Sequence, residues 1–178
     1  IEDYMACAKY MKTLPWVDNQ KMGITGGSFG GYMTLMALTY GSDVFDYGMA
    51  NASVTDWSLY DTHYTERFMD TPAENPEGYK NTSVLTYADK YKSGLRLVHG
   101  TTDDNVHMQN SIQLVSKLQD LGKHFEMMVY PNERHGIGAN KATKRAHLVM
   151  ENAIFNYRNL LNKPVPEVFW NSSDKRAF

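Results

Sequence analysis

Three short segments carry residues that could do chemistry together. The first is Gly26-Gly27-Ser28-Phe29-Gly30-Gly31, a G-x-S-x-G pentapeptide with an extra glycine. It follows the apolar Met22-Gly23-Ile24 and precedes a helix-like run, residues 32–40. A serine between a strand and a helix can sit on a sharp, strained turn that lifts its hydroxyl above a sheet. The positions two before and two after it must then be small, and Gly26 and Gly30 meet that need. The second segment, Gly100-Thr101-Thr102-Asp103-Asp104-Asn105, supplies carboxylates, and the third, Pro131-Asn132-Glu133-Arg134-His135-Gly136, supplies an imidazole. A serine hydroxyl is a poor nucleophile at neutral pH. It needs a base to take its proton and a third group to orient that base. His135 would be that base, and later the acid toward the leaving group. Asp103 would hold its tautomer and stabilise the imidazolium, although spacing alone leaves Asp104 open.

These groups need a scaffold that brings distant segments together. Ile1, Tyr4, Met5, Ala8 and Met11 mark one face of a helix limited by Pro15. The pattern then predicts a strand over residues 21–25, a buried helix from Tyr32 and a weaker strand over residues 47–52. Residues 54–92 are polar and aromatic, with Trp57, Tyr60, Tyr64, Tyr79, Tyr87 and Tyr91, and read as short helices and loops. Leu95–His99 and Phe125–Tyr130 read as strands. Ile112, Val115, Leu118 and Leu121 define a helix between them, closed by Gly122. Val149, Ala153, Tyr157, Leu160 and Leu161 predict a last amphipathic helix before Pro164. Strands alternating with helices imply a mostly parallel sheet with helices on both faces. Reactive groups collect at the carboxyl ends of such strands. Serine, aspartate and histidine, each just past a strand and in that order, match the α/β-hydrolase fold.

With 178 residues the chain is long enough for one domain with a real core. Eighteen basic residues against 20 acidic ones give no basic patch for nucleic acid. No apolar run approaches membrane-spanning length. Cys7 is the only cysteine, which excludes an internal disulfide and a thiolate metal cluster. No His/Cys/Asp cluster has metal-ligand spacing, the Lys of a phosphate loop is missing, and no cofactor is implied. The other histidines, His63, His99, His107, His124 and His147, lie where packing or surface roles suffice.

Five blocks go beyond a general hydrolase. Gly26-Gly27-Ser28-Phe29-Gly30-Gly31-Tyr32, Trp57-Ser58-Leu59-Tyr60, Tyr64-Thr65-Glu66-Arg67-Phe68-Met69, His99-Gly100-Thr101-Thr102-Asp103-Asp104-Asn105-Val106-His107 and His135-Gly136-Ile137 stand in this order. Together they resemble the dipeptidyl peptidase branch of the prolyl oligopeptidase family of serine peptidases, from about residue 1 to 161. The resemblance implies a catalytic triad of Ser28, Asp103 and His135, and so selects Asp103 over Asp104. It implies that the Phe29 backbone N–H donates to the oxyanion. It makes Phe29, Val54, Trp57, Tyr60, Tyr64 and Val106 the apolar pocket for proline, and Asn105 the amide that binds the preceding carbonyl. Aromatic walls suit a rigid apolar ring that lacks an N–H. The implied substrates are peptides with proline or alanine at the second position. The implied setting is periplasmic, secreted or cell-surface, with a homodimer in the full-length enzyme, for which the last helix resembles the pairing segment.

The departures are specific. This branch usually has Trp before the serine and Tyr after it, where this chain has Gly27 and Phe29. Residues 1–163 are expected to be part of an α/β-hydrolase catalytic domain, and residues 164–178 a tail. A larger enzyme would add a β-propeller, an acidic pair for the substrate's amino terminus, an upstream oxyanion tyrosine and the first strands of the sheet. Loss of one oxyanion donor should cost about 10²- to 10³-fold in rate. The 178 residues alone are therefore expected to be poorly active, with an exposed strand edge near residue 24 that favours association. Two other readings are a tripeptidyl or acyl-peptide hydrolase relative and, in a different class, a non-catalytic assembly module.

Overall fold

The computed structural model describes residues 1–169 and divides into two units, Ile1–His135 and Gly136–Phe178. The first unit holds a sheet of four parallel strands in the order β1 (Gly23–Gly27), β2 (Tyr47–Asn51), β3 (Gly94–Gly100) and β4 (Glu126–Tyr130). The register pairs Gly27 with Asn51, Asn51 with Val98, and Gly100 with Tyr130. All four carboxyl ends therefore rise on one edge of the sheet. The segments that leave them are Ser28, Ala52–Thr55, Thr101–Val106 and Pro131–His135. This is the α/β-hydrolase fold expected from the sequence.

Helices α1 (Glu2–Met11) and α2 (Phe29–Leu38) flank β1 in the chain. Helix α2 is apolar all round and packs on β1 and β2, burying Leu35, Ala37 and Leu38 almost completely. Short helices fill the segment between β2 and β3. They are a 3₁₀ turn at Trp57–Leu59, α3 (Thr62–Met69), α4 (Pro76–Thr82) and a 3₁₀ stretch at Val84–Lys90. Each of the first three starts at a side-chain cap. Asp56 accepts from Ser58 N–H (2.9 Å), Asp61 from Tyr64 N–H (2.9 Å) and Asn75 from Gly78 N–H (3.0 Å). Pro76, at the start of α4, loses nothing by lacking an N–H there. Helix α5 (Gln109–Asp120) packs on the 3₁₀ stretch through Leu114 and Leu118, and Gly122 ends it at φ +64°.

Several boundaries differ from expectation. The strand before the serine runs to Gly27, and α2 begins at Phe29, not Tyr32. Glycines are poor strand formers by themselves, but β2 supplies a parallel partner as far as Asn51. The turn thereby shrinks to Ser28 alone. In the second unit α6 spans Ala142–Asn159, starting seven residues before Val149. Apolar periodicity reports only a buried face, and the first turns of α6 are Ala, Thr, Lys, Arg and His. A 3₁₀ turn at Glu167–Phe169 lies within the 164–178 tail, whose residues 170–178 are outside the described residues. None of the described helices is long and apolar enough to cross a membrane.

Candidate active site

The turn at Ser28 is strained in the way a nucleophile turn requires. Ser28 has φ 58° and ψ −122°, a region that non-glycine residues occupy at a cost of about 1–3 kcal/mol. Two backbone bonds hold it there. Its N–H donates to Asn51 O (2.9 Å), extending the β1–β2 ladder, and its carbonyl accepts from Tyr32 N–H (3.0 Å), starting α2. A Cβ on Gly26 would fall on the backbone of Gly30. A Cβ on Gly30 would meet open space, whereas one on Gly31 would meet the Ser53 hydroxyl and, at 2.9 Å, Asn51 O. The steric demand that sequence reading assigned to Gly26 and Gly30 thus falls on Gly26 and Gly31. What matters at Gly30 is the approach of its backbone, not its lack of a side chain.

The Ser28 hydroxyl makes no hydrogen bond among the described residues. The same holds for the backbone N–H groups of Phe29, Gly30 and Gly31, the first turn of α2. These donors have no carbonyl four residues back to bond, and Ser28 does not cap them with its side chain. Free amides beside a strained serine can receive negative charge.

The loops after β3 and β4 are stitched together. Thr101 N–H donates to Tyr130 O (3.1 Å), and Asn132 N–H to Thr101 Oγ1 (2.8 Å). Both the N–H and the hydroxyl of Thr102 donate to Glu133 O (3.1 Å each). A Cβ on Gly100 would fall on that same carbonyl, so β3 can end here only in glycine. The stitching brings Asp103 to His135. Asp103 is 3% exposed, and its Oδ2 lies 2.9 Å from His135 Nδ1. Its Oδ1 accepts from Asn105 N–H and Val106 N–H, 3.0 Å each. Asp104 faces solvent and pairs with the exposed Arg134 at 3.1 Å. His135 Nε2 has no partner among the described residues.

Sequence reading gave His99 only a packing role. It is fully buried, and its Nε2 lies 3.3 Å from Asp103 Oδ2 and 2.8 Å from Val106 O. It stands in one of the family-like blocks, but the sequence assigned it no chemical role, because its partners come from the following loop and from α5.

Beside the serine, aromatic rings pack in an arc. Trp57 lies 5.1 Å from Tyr32, 6.0 Å from Phe29 and 6.0 Å from Tyr64, centroid to centroid. Tyr60 meets Tyr64 at 5.6 Å, and Tyr64 meets Phe68 at 5.2 Å. The rings flank a cavity of about 320 Å³ lined by Phe29, Tyr32, Trp57, Tyr64, Thr65, Phe68 and Met69. Tyr64 and Phe68, and likewise Thr65 and Met69, are four apart on α3 and so share a face. Of the residues expected to form the pocket, Val54 and Val106 are buried and do not line the cavity, and Tyr60 does not line it either. Tyr32, Phe68 and Met69 were not singled out from sequence as cavity walls, although Tyr32 follows the serine by one helical turn.

Asn105 sits at the edge of this arc. Tyr60 Oη donates to Asn105 Oδ1 at 2.7 Å. That bond occupies the amide oxygen and leaves the Asn105 NH₂ free to donate. Desolvation first, then the nearby Asp61, raises the Tyr60 pKa, so the phenol stays a donor at neutral pH. A buried bond network ties the whole segment down. Thr55 N–H and Oγ1 bond to Asn110 Oδ1 (2.9 Å) and Asn110 O (2.8 Å) at the start of α5.

Residues 1–159 match the model of the prolyl oligopeptidase family. The chain belongs to that family. It is 41% identical to dipeptidyl peptidase 4 of Felis catus over 157 residues, 86% of this chain and 20% of the relative. It is equally identical to dipeptidyl peptidase 4 of Sus scrofa over 153 residues, 84% of this chain and 20% of the relative. The crystal structure of Porphyromonas gingivalis dipeptidyl peptidase 4 superposes with a TM-score of 0.86 at 42% identity, covering 89% of this chain and 22% of that one. The chain thus spans about a fifth of the length of the relatives it matches. Among the described residues of this prolyl oligopeptidase family chain, no three His, Cys, Asp or Glu side chains are arranged to hold a metal ion.

Proposed function

We propose that this chain is the catalytic segment of a serine exopeptidase that releases dipeptides after proline or alanine near a peptide's amino terminus. The bond between buried Asp103 and His135 Nδ1, at the sheet edge that carries the strained Ser28, carries this reading. With Nδ1 committed to the carboxylate as a donor, the neutral imidazole keeps its lone pair on Nε2. Ser28 Oγ attacks the scissile carbonyl carbon as His135 Nε2 takes its proton. Asp103 stabilises the imidazolium, and the Phe29 N–H receives the charge that develops on the carbonyl oxygen. Collapse of the tetrahedral adduct breaks the C–N bond, and His135 returns the proton to the leaving amine. A water molecule then repeats the sequence on the ester and frees Ser28. The ring arc around Trp57 suits the proline side chain, and the Asn105 amide held by Tyr60 suits the carbonyl of the preceding residue. The family resemblance extends the proposal to a homodimeric, periplasmic, secreted or cell-surface enzyme.

Fluorophosphonate labelling of the full-length protein tests the chemistry. Ser28 should be modified, and Ser28→Ala should abolish modification. The proline-dipeptide chromogenic substrate should be cleaved far faster than its tripeptide analogue. Labelling that persists in Ser28→Ala would overturn the nucleophile, and preference for the tripeptide would overturn the dipeptidyl assignment.

A further inference from the structure

We infer that His99 is a positioning residue for the triad: a neutral imidazole that stands against the same Asp103 oxygen as His135, helps fix that carboxylate, and locks the loop carrying Asn105 and Val106. The inference rests on the proposed triad.

Hydrogen-bond chemistry assigns the tautomer. His99 Nε2 lies 2.8 Å from Val106 O, which can only accept, so Nε2 carries the proton. That same N–H reaches Asp103 Oδ2 at 3.3 Å. Nδ1 must then accept, and the Ser111 hydroxyl donates to it at 2.7 Å. Ser111 is fully buried on α5, so the ring is clamped between β3, the loop and α5. Burial is the main influence on His99 and lowers its pKa; Asp103 and His135 are the titratable groups that act on it.

The consequence lies in the saturation of Asp103. An ionised carboxylate offers about four lone-pair sites. Asn105 N–H and Val106 N–H take Oδ1 and His135 Nδ1 takes Oδ2, with the His99 Nε2–H, bonded to Val106 O, lying 3.3 Å from the same Oδ2. The buried carboxylate is thus held at both oxygens by neutral donors, and the His99 ring blocks movement of Oδ2. His99 also holds the Val106 carbonyl, so one ring couples the triad carboxylate to the loop beside the aromatic arc. Without His99, Asp103 would keep its backbone bonds but lose one of two lateral stops on Oδ2. A misplacement of about 1 Å in a catalytic constellation can cost about 10²-fold in rate.

The test compares His99→Asn and His99→Gln in the full-length protein with the proline-dipeptide substrate. Asparagine can still meet Ser111 but is too short to reach Asp103. Glutamine carries its amide nitrogen to about the position of Nε2. His99→Asn should lower kcat/KM by about 10²-fold, chiefly through kcat. It should also move the acid limb of the pH profile to higher pH, because more of the Asp103 charge is left to hold the proton on His135. His99→Gln should restore most of the rate and the original limb. If His99→Asn does not fold, as judged by circular dichroism, Ser111→Ala should shift the limb in the same direction by a smaller amount. An unshifted limb in whichever of these variants is folded, or equal losses in the Asn and Gln variants, overturns the inference. Activity surviving in Ser28→Ala and His135→Ala run alongside would instead overturn the triad itself.

Discussion

The two neighbouring acids, Asp103 and Asp104, separate at the level of single residues by environment. Asp103 is buried with four donors around it, whereas Asp104 sits in water beside one flexible arginine. An exposed ion pair of that kind is worth about 0–1 kcal/mol. Replacing a triad aspartate by its amide reverses the hydrogen-bond sense toward the base and costs about 10⁴-fold in kcat. Asp103→Asn should therefore nearly abolish turnover of the proline-dipeptide substrate, and Asp104→Asn should leave it within an order of magnitude. Steady-state kinetics on the two variants decides the assignment, and similar losses in both would contradict it. Spacing alone could not make this distinction, because adjacent residues differ in what they touch rather than in where they stand in the chain.

At the scale of elements, the strand-turn-helix unit depends on close backbone approach. Gly26 must accept the Gly30 backbone, and Gly31 must lie against Ser53 and Asn51 on the next strand's exit. Gly30→Ala has open space for its methyl group and should stabilise α2 by up to about 1 kcal/mol. Gly31→Ala must push β2's exit away from α2 and should destabilise by about 1–3 kcal/mol. Urea denaturation of the paired variants measures both signs, and a destabilising Gly30→Ala would refute the packing argument. The pentapeptide pattern marked the serine that sits on the strained turn, but it assigned the second small position to the wrong glycine. The reason is that Gly31 meets β2, a strand that follows the motif in sequence, and a local pattern carries no information about that contact.

For the molecule as a whole, a buried neutral histidine links stability to pH. His99 has its pKa lowered from the ordinary 6.5, chiefly by burial. Above that ordinary value both folded and unfolded chains hold the imidazole neutral. As pH falls below it, the unfolded chain takes up a proton that the folded chain resists, so stability is lost toward the lowered folded value. The urea midpoint of the full-length protein should be lower at pH 5 than at pH 7.5, and His99→Gln, which cannot titrate, should reduce that difference. An unchanged difference in His99→Gln would show that other groups account for it.

The sequence by itself determined a good deal at this largest scale. Alternating apolar segments demanded a parallel sheet, and a parallel sheet puts every strand's carboxyl end on one edge, so Ser28, Asp103 and His135 had to emerge there. Capping residues and Pro76 made residues 54–92 a series of short helices, as their irregular pattern implied. Only the tertiary structure decided which groups meet. It turned His99 from an apparent packing residue into a neighbour of Asp103, added Tyr32, Phe68 and Met69 to the ring-lined cavity, and left Val54, Tyr60 and Val106 off its wall. Periodicity encodes which face of an element is buried, because burial repeats with the helix or strand. Hydrogen bonds and ring contacts between β3, α3, α5 and their loops have no period, since they depend on the register in which separately specified elements pack.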